Sequence, residues 1–187
     1  IFGAEVHVAP ELPAFISRKK IPLIGGRYIL LELPFNEVPG YMKHLIFELR
    51  IAGVTPIIAH PERNIVLADD PNLLLTWLEQ GALAQVNAGS IIGIFGHNAA
   101  QTAEIMLTHH MVHFIGSDAH HAEGRRTPML SPCRQALEEM LGKDQAEDLL
   151  TNNPTEAIAG HHIHRREPEA YCKPKVGFWG RVMGRLG

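Results

Sequence analysis

Five short apolar runs recur along the chain, at about residues 1–8, 27–34, 54–60, 82–88 and 111–117. Within YILLEL, TPIIAH, LAQVNAG and VHFIGSD, apolar and polar positions hardly alternate. Such near-continuous runs suit parallel strands covered on both faces. Between them the spacing changes to three and four. Residues 37–52 align Val38, Tyr41, Leu45, Leu49 and Ala52, and residues 70–80 align Leu73, Leu74, Trp77 and Leu78. The second stretch follows Asp69-Asp70-Pro71-Asn72, a helix-start signal. Residues 97–110 and 131–142 read as helices too, and 144–151 and 154–160 as a final pair. Strands alternating with helices of this length predict βαβ units and an α/β fold with a parallel sheet or barrel.

The polar residues that end these runs repeat with the same period. Glu5, Glu32, His60, Asn87 and Asp118 follow one another at intervals of 27, 28, 27 and 31 residues. Strand C-terminal ends in parallel α/β folds share one face, where the chemistry sits. The spacing therefore brings two glutamates, a histidine, an asparagine and an aspartate to one mouth. Carboxylates and imidazoles converging there are ligands for manganese, iron or zinc. Buried carboxylates left unpaired would be very costly. Asp118-Ala-His120 is a D-x-H pair whose side chains can point to one side of an extended segment. The candidate metal ligands are thus Glu5, Glu32, His60, Asp118 and His120, with His7 beside them. Arg63, three residues after His60, and Arg125 and Arg126 in HHAEGRRTP suit a phosphate, whose oxygens match the guanidinium fork. His109, His110 and His113 precede a strand and belong to the opposite end. The His161-His162-x-His164 run reads as a solvated segment.

Composition narrows the classes. The 187 residues carry a net charge of −3, which gives no global case for nucleic-acid binding. Residues 161–187 carry six basic and two acidic side chains, leaving the first 160 at −7. Cys133 and Cys172 lack metal-finger spacing and sit in no C-x5-R loop, so a phosphocysteine route is unsupported and a reduced, cytoplasmic protein is the simplest expectation. Residues 1–160 read as one domain and 161–187 as a basic tail. In that tail Phe178, Trp179, Val182, Met183 and Leu186 share a helical face apart from Arg181 and Arg185. That pattern suits docking on a membrane surface or a partner, and would place the protein at the inner face of the membrane.

GAEVH, YILLELPF, PIIAHPERN, QVNAGSIIG and FIGSDAHH…GRRTP, in this order and spacing, resemble the bacterial protein-tyrosine phosphatases of the polymerase and histidinol phosphatase (PHP) superfamily. The resemblance implies a distorted (βα)7 barrel of TIM-like type and up to three metal ions, most often manganese, with iron, zinc or magnesium as alternatives. It implies Glu5 as a bridging ligand, Glu32, His60, Asp118 and His120 as further ligands, and Arg63 and Arg125 as phosphate-holding groups, with Asp118 in the catalytic set. The substrate it implies is phosphotyrosine, on a membrane tyrosine autokinase of polysaccharide export. The chemistry expected is attack of metal-activated water in line on phosphorus. A small ester such as histidinol phosphate is the alternative substrate; a catalytically dead binding module is the alternative role. The family's opening H-x-H strand is absent from this sequence, so the barrel is expected to be incomplete at the N-terminus, and residues 1–187 weakly active at most.

Overall fold

Each apolar run forms a strand in the computed structural model, which describes residues 3–123, 127–128 and 130–173. The strands are β1 (Glu5–His7), β2 (Tyr28–Glu32), β3 (Thr55–Ala59), β4 (Leu83–Asn87) and β5 (Phe114–Gly116). They pair in chain order, β1-β2-β3-β4-β5, and every pair is parallel. A doubly wound sheet would reverse this order at a switch point. Here the winding runs in one direction throughout. Among the described residues β1 pairs with β2 alone, and it carries exposed Glu5 and His7.

Register and the two-residue pleat sort the side chains onto two faces. Glu5 is level with Leu30, Leu30 with Ile57, and Ile57 with Leu83. His7 is level with Glu32, Glu32 with Ala59, Ala59 with Gln85, and Asn87 with Gly116. The alternate residues Ile29, Leu31, Ile58, Ala84, Val86 and Ile115 enter the main core. Helices cover that core: α2 (Met42–Ile51) with Leu45 and Leu49, α4 (Asn72–Glu79) with Leu74 and Trp77, α6 (His97–Thr108) with Met106, and α7 (Ser131–Leu141) with Leu137. On the first face, Tyr28, Ile57, Leu83 and Phe114 form a smaller buried cluster with Ala157. On β2 to β5 apolar side chains thus close the N-terminal half of that face and polar ones occupy its C-terminal end, while on the edge strand β1 Glu5 lies level with the apolar layer.

Helix boundaries differ from the periodicity where turn chemistry intervenes. The helix read over 37–52 begins only at Met42, because Pro39-Gly40 breaks the preceding turn. Short helices α1 (Leu12–Ser17), α3 (Ile65–Asp69) and α5 (Ala88–Ile91) lack the two turns of repeat that a pattern needs. The final pair is a run of three pieces: α8 (Lys143–Glu147), a π turn (Asp148–Asn152) and α9 (Asn153–Ile158).

Residues 161–173 keep mostly exposed side chains, but their backbone is anchored as a strap. The Tyr28 hydroxyl donates to the His161 carbonyl (2.5 Å), and Arg27 Nε donates to the Gly160 carbonyl (3.1 Å). Further along, the Glu169 amide donates to the His109 carbonyl. Asn72 bonds both backbone groups of Tyr171, at 3.0 and 2.9 Å. The strap therefore runs from the floor of the sheet to α4 and the end of α6. Residues 174–187, which hold the amphipathic pattern, lie outside the described residues.

Candidate metal centre

Strand β1 ends in Glu5-Val6-His7, β2 in Glu32, and β3 is followed directly by His60. The register sets His7 level with Glu32 and Glu5 two residues earlier, level with Leu30; the Glu5 side chain still reaches the same mouth. One ligand atom from each of Glu5, Glu32 and His60 lies within 4.8 Å of the other two. His60 Nε2 is 3.3 Å from Glu5 Oε1 and 3.5 Å from Glu32 Oε1. His7 Nδ1 lies 3.2 Å from Glu32 Oε2, the oxygen other than the one nearest His60, and so can orient that carboxylate. Burial pulls the His60 imidazole toward lower pKa, but the Glu5 hydrogen bond and the Glu62 and Glu5 charges outweigh it and hold it above its usual value. Two carboxylates and an imidazole facing one point are a donor set that divalent cations fit.

Asp118 forms the adjoining half of the mouth. Its Oδ2 accepts from Asn87 Nδ2 (2.9 Å) and from Arg63 Nη1 (3.3 Å). His120 Nδ1 lies 3.0 Å from the Asp118 carbonyl and 3.6 Å from Asp118 Oδ1. Arg63 also stacks over Phe95, with its guanidinium carbon 4.4 Å from the ring centroid. The sequence-predicted residues thus fall into two neighbouring groups, Glu5–Glu32–His60 and Asp118–His120–Arg63–Asn87. Arg63 follows His60 by one 3₁₀ turn (Pro61–Arg63) and so links them. Arg125 and Arg126 lie outside the described residues.

The backbone is bent to make this possible. His60 has φ +33° and Asp118 φ +49°, a left-handed region that costs an ordinary residue about 1–3 kcal/mol. Both stand where a strand has just ended and the chain must turn its side chain inward over the mouth.

Two supporting residues escaped the sequence reading. Glu62 is buried, and its Oε1 accepts from the Asn87 amide (3.1 Å) and the Ser90 hydroxyl (2.5 Å). Burial raises its pKa, and those two hydrogen bonds offset this only in part. Its Oε2 and Asn87 Oδ1 are buried without hydrogen-bond partners among the described residues. Asn64 is the second. Its Oδ1 caps α3 by accepting from the Val66 and Leu67 amides, and its Nδ2 donates to the Pro34 and Glu37 carbonyls. It ties the loop after β2 to the turn that holds His60 and Arg63. At the other end of the sheet, His113 is buried, and Ala84 N donates to its Nδ1. Burial, reinforced by the Arg165 charge, lowers its pKa to about 3. It stands away from the mouth, as its place before β5 predicts.

A family model for capsular polysaccharide synthesis proteins, CpsB/CapC, matches residues 1–159. The chain belongs to this family. It is 31% identical over 179 residues to the tyrosine-protein phosphatase YwqE of Bacillus subtilis, covering 95% of this chain and 70% of YwqE. It is 40% identical over 124 residues to the putative tyrosine-protein phosphatase CapC of Staphylococcus aureus, covering 66% of this chain and 49% of CapC. Among solved structures it matches a chain from the crystal structures of YwqE and of Streptococcus pneumoniae CpsB, described as unique metal-dependent tyrosine phosphatases. That match has a TM-score of 0.86 at 30% identity, over 91% of this chain and 69% of the other. The PHP resemblance read from the motifs agrees with all of these.

Proposed function

We propose that this chain carries the catalytic mouth of a metal-dependent protein-tyrosine phosphatase of capsular polysaccharide synthesis. The observation that carries this is the meeting of Glu5, Glu32 and His60 within 4.8 Å, beside an arginine held on Asp118. The three donors would hold a divalent cation, most readily manganese, and Asp118 and His120 would complete the set. When bound, such cations supply an activated water and positive charge against the phosphoryl oxygens. The chain's own groups do the rest. Arg63 presents its remaining N–H groups to the phosphate. Asp118 fixes that guanidinium from one side and Phe95 from below. Asn87 holds Asp118, and Glu62 holds the Asn87 backbone. Arg125 is the second phosphate-binding group in this reading.

The unbroken parallel order supports a PHP-type (βα)7 barrel of which these strands are a part. The relatives, named tyrosine-protein phosphatases, support phosphotyrosine as the substrate; the bearer in this reading is a tyrosine autokinase at the inner membrane face. No described helix is long and apolar enough to cross a membrane; membrane contact through the basic tail is part of this reading. Phosphate release from a phosphotyrosyl peptide and from histidinol phosphate, measured with manganese and again after chelation, tests the proposal. Chelator-sensitive release that favours the peptide is expected. Preference for histidinol phosphate, or release that survives chelation, would overturn it.

A further inference from the structure

A cavity of about 600 Å³ is lined by Arg63 but not by Glu32 or His60. Phe35, Ile65, Ala68 and Phe95 supply its apolar wall, and Arg63 stands at its inner end. A second cavity of about 220 Å³ holds Glu32 and His60 and shares Phe35 and Arg63 with the first. The residue proposed to hold phosphate therefore lines both cavities. We infer that the larger cavity is the leaving-group pocket, and that it receives the aromatic ring of a phosphotyrosyl side chain. This rests on the phosphatase reading of the mouth and adds to it the feature that selects aryl over alkyl phosphates.

Three observations favour a ring as the occupant. First, the charges argue against a second anion there. Beyond Arg63 the charged lining residues are Glu62 and Asp69, both acidic. Second, the apolar wall includes side chains that a free surface would not favour: Phe35 is 58% and Ile65 55% exposed. Large apolar groups left open beside a polar site mark a surface that is covered in use. Third, Arg63 already lies on the Phe95 ring, so an aromatic wall continues from the phosphate end into the cavity. The volume exceeds that of one ring. The remaining space borders Asn98 and Gln101 on α6, whose amides suit the peptide backbone beside the tyrosine.

Calorimetric titration of the manganese-loaded full chain tests the pocket. The probes are a peptide with a difluoromethylene phosphonate in place of phosphotyrosine, and the same peptide with the phosphoserine analogue. The aryl probe should bind about tenfold more tightly, the effect of burying most of a phenyl ring. Ile65→Ala, which removes a wall, and Ala68→Leu, which fills the space, should each cut that preference about fivefold. Thermal melts serve as the control that both variants fold, and Ile65 is exposed enough that its truncation should spare the core. Equal affinity for the two probes, or a preference that neither variant changes, would overturn the pocket. Its failure separates from that of the phosphatase reading. Equal hydrolysis of aryl and alkyl esters would remove the pocket and keep the phosphatase. Selective binding of the aryl probe without any phosphate release would keep the pocket and remove the phosphatase.

Discussion

At their N-terminal ends the strands place Tyr28, Ile57, Leu83 and Phe114 in a dry cluster closed by Ala157. At their C-terminal ends the same face offers Glu32, and the residues just beyond offer His60 and Asp118, while Glu5, at the start of β1, reaches His60 from the level of Leu30. Floor and mouth are thus built on one set of strands with opposite demands. The floor gains from burial and leaves few polar groups to satisfy. The mouth gathers carboxylates that repel one another and bends the backbone at His60 and Asp118. Stability should therefore reside in the floor and affinity for metal and phosphate in the mouth, and substitutions should separate the two.

The largest expected effect is on the floor. Phe114→Ala removes a buried ring and leaves a cavity, and should cost about 3–5 kcal/mol in urea unfolding. Manganese affinity of the fraction that stays folded should hold. A parallel loss of both would show that the floor also shapes the mouth. At the mouth, Glu32→Gln should weaken manganese binding by about a hundredfold, the upper end of what the loss of an outer-shell partner of a metal costs. Its unfolding free energy without metal should stay level or rise, since one repelling charge is gone. A clear loss of metal-free stability would mean that Glu32 is structural.

His113 gives the floor a pH signature. The unfolded chain takes up a proton there near 6.5, while the folded chain resists until about 3. The unfolded state therefore binds more protons across that window. The His113 contribution is fully present above about pH 6.5 and falls by about 1.4 kcal/mol per pH unit on acidification. Replacing His113 with Asn, which keeps an acceptor for Ala84 N, should flatten the slope of stability against pH between 4 and 6. An unchanged slope would assign the acid sensitivity to other groups.

The strands and their order were legible because buried parallel strands leave runs without alternation. The mouth was legible because one βα unit sets a period close to the observed spacing of Glu5, Glu32, His60, Asn87 and Asp118. Glu62 was not. It follows Pro61 in a polar turn and reads as a surface residue, and its burial comes from Asn87 and Ser90, 25 and 28 residues away. The pairing of His7 with Glu32 was likewise hidden, since it depends on the β1–β2 register. The His161–His164 run that opens the strap reads as solvated because its side chains are polar. Its anchors are backbone groups, and those leave no trace in side-chain pattern.

The smallest expected effect tests that strap. Tyr28 joins the floor to it: the ring is buried in the small cluster while the hydroxyl donates to the His161 carbonyl. Tyr28→Phe keeps the ring and deletes one hydrogen bond, so about 1 kcal/mol of stability should be lost. The loss should also be local. If residues 161–173 open as a unit, the Tyr171 amide, held by Asn72 Oδ1, should exchange its hydrogen faster in the variant. The Ile58 amide, in the centre of the sheet, should change only in proportion to the global loss. Faster exchange at Tyr171 alone would make the strap a separable element laid over the floor. Equal acceleration at both positions would make it part of the same cooperative unit, and the floor would then extend to residue 173.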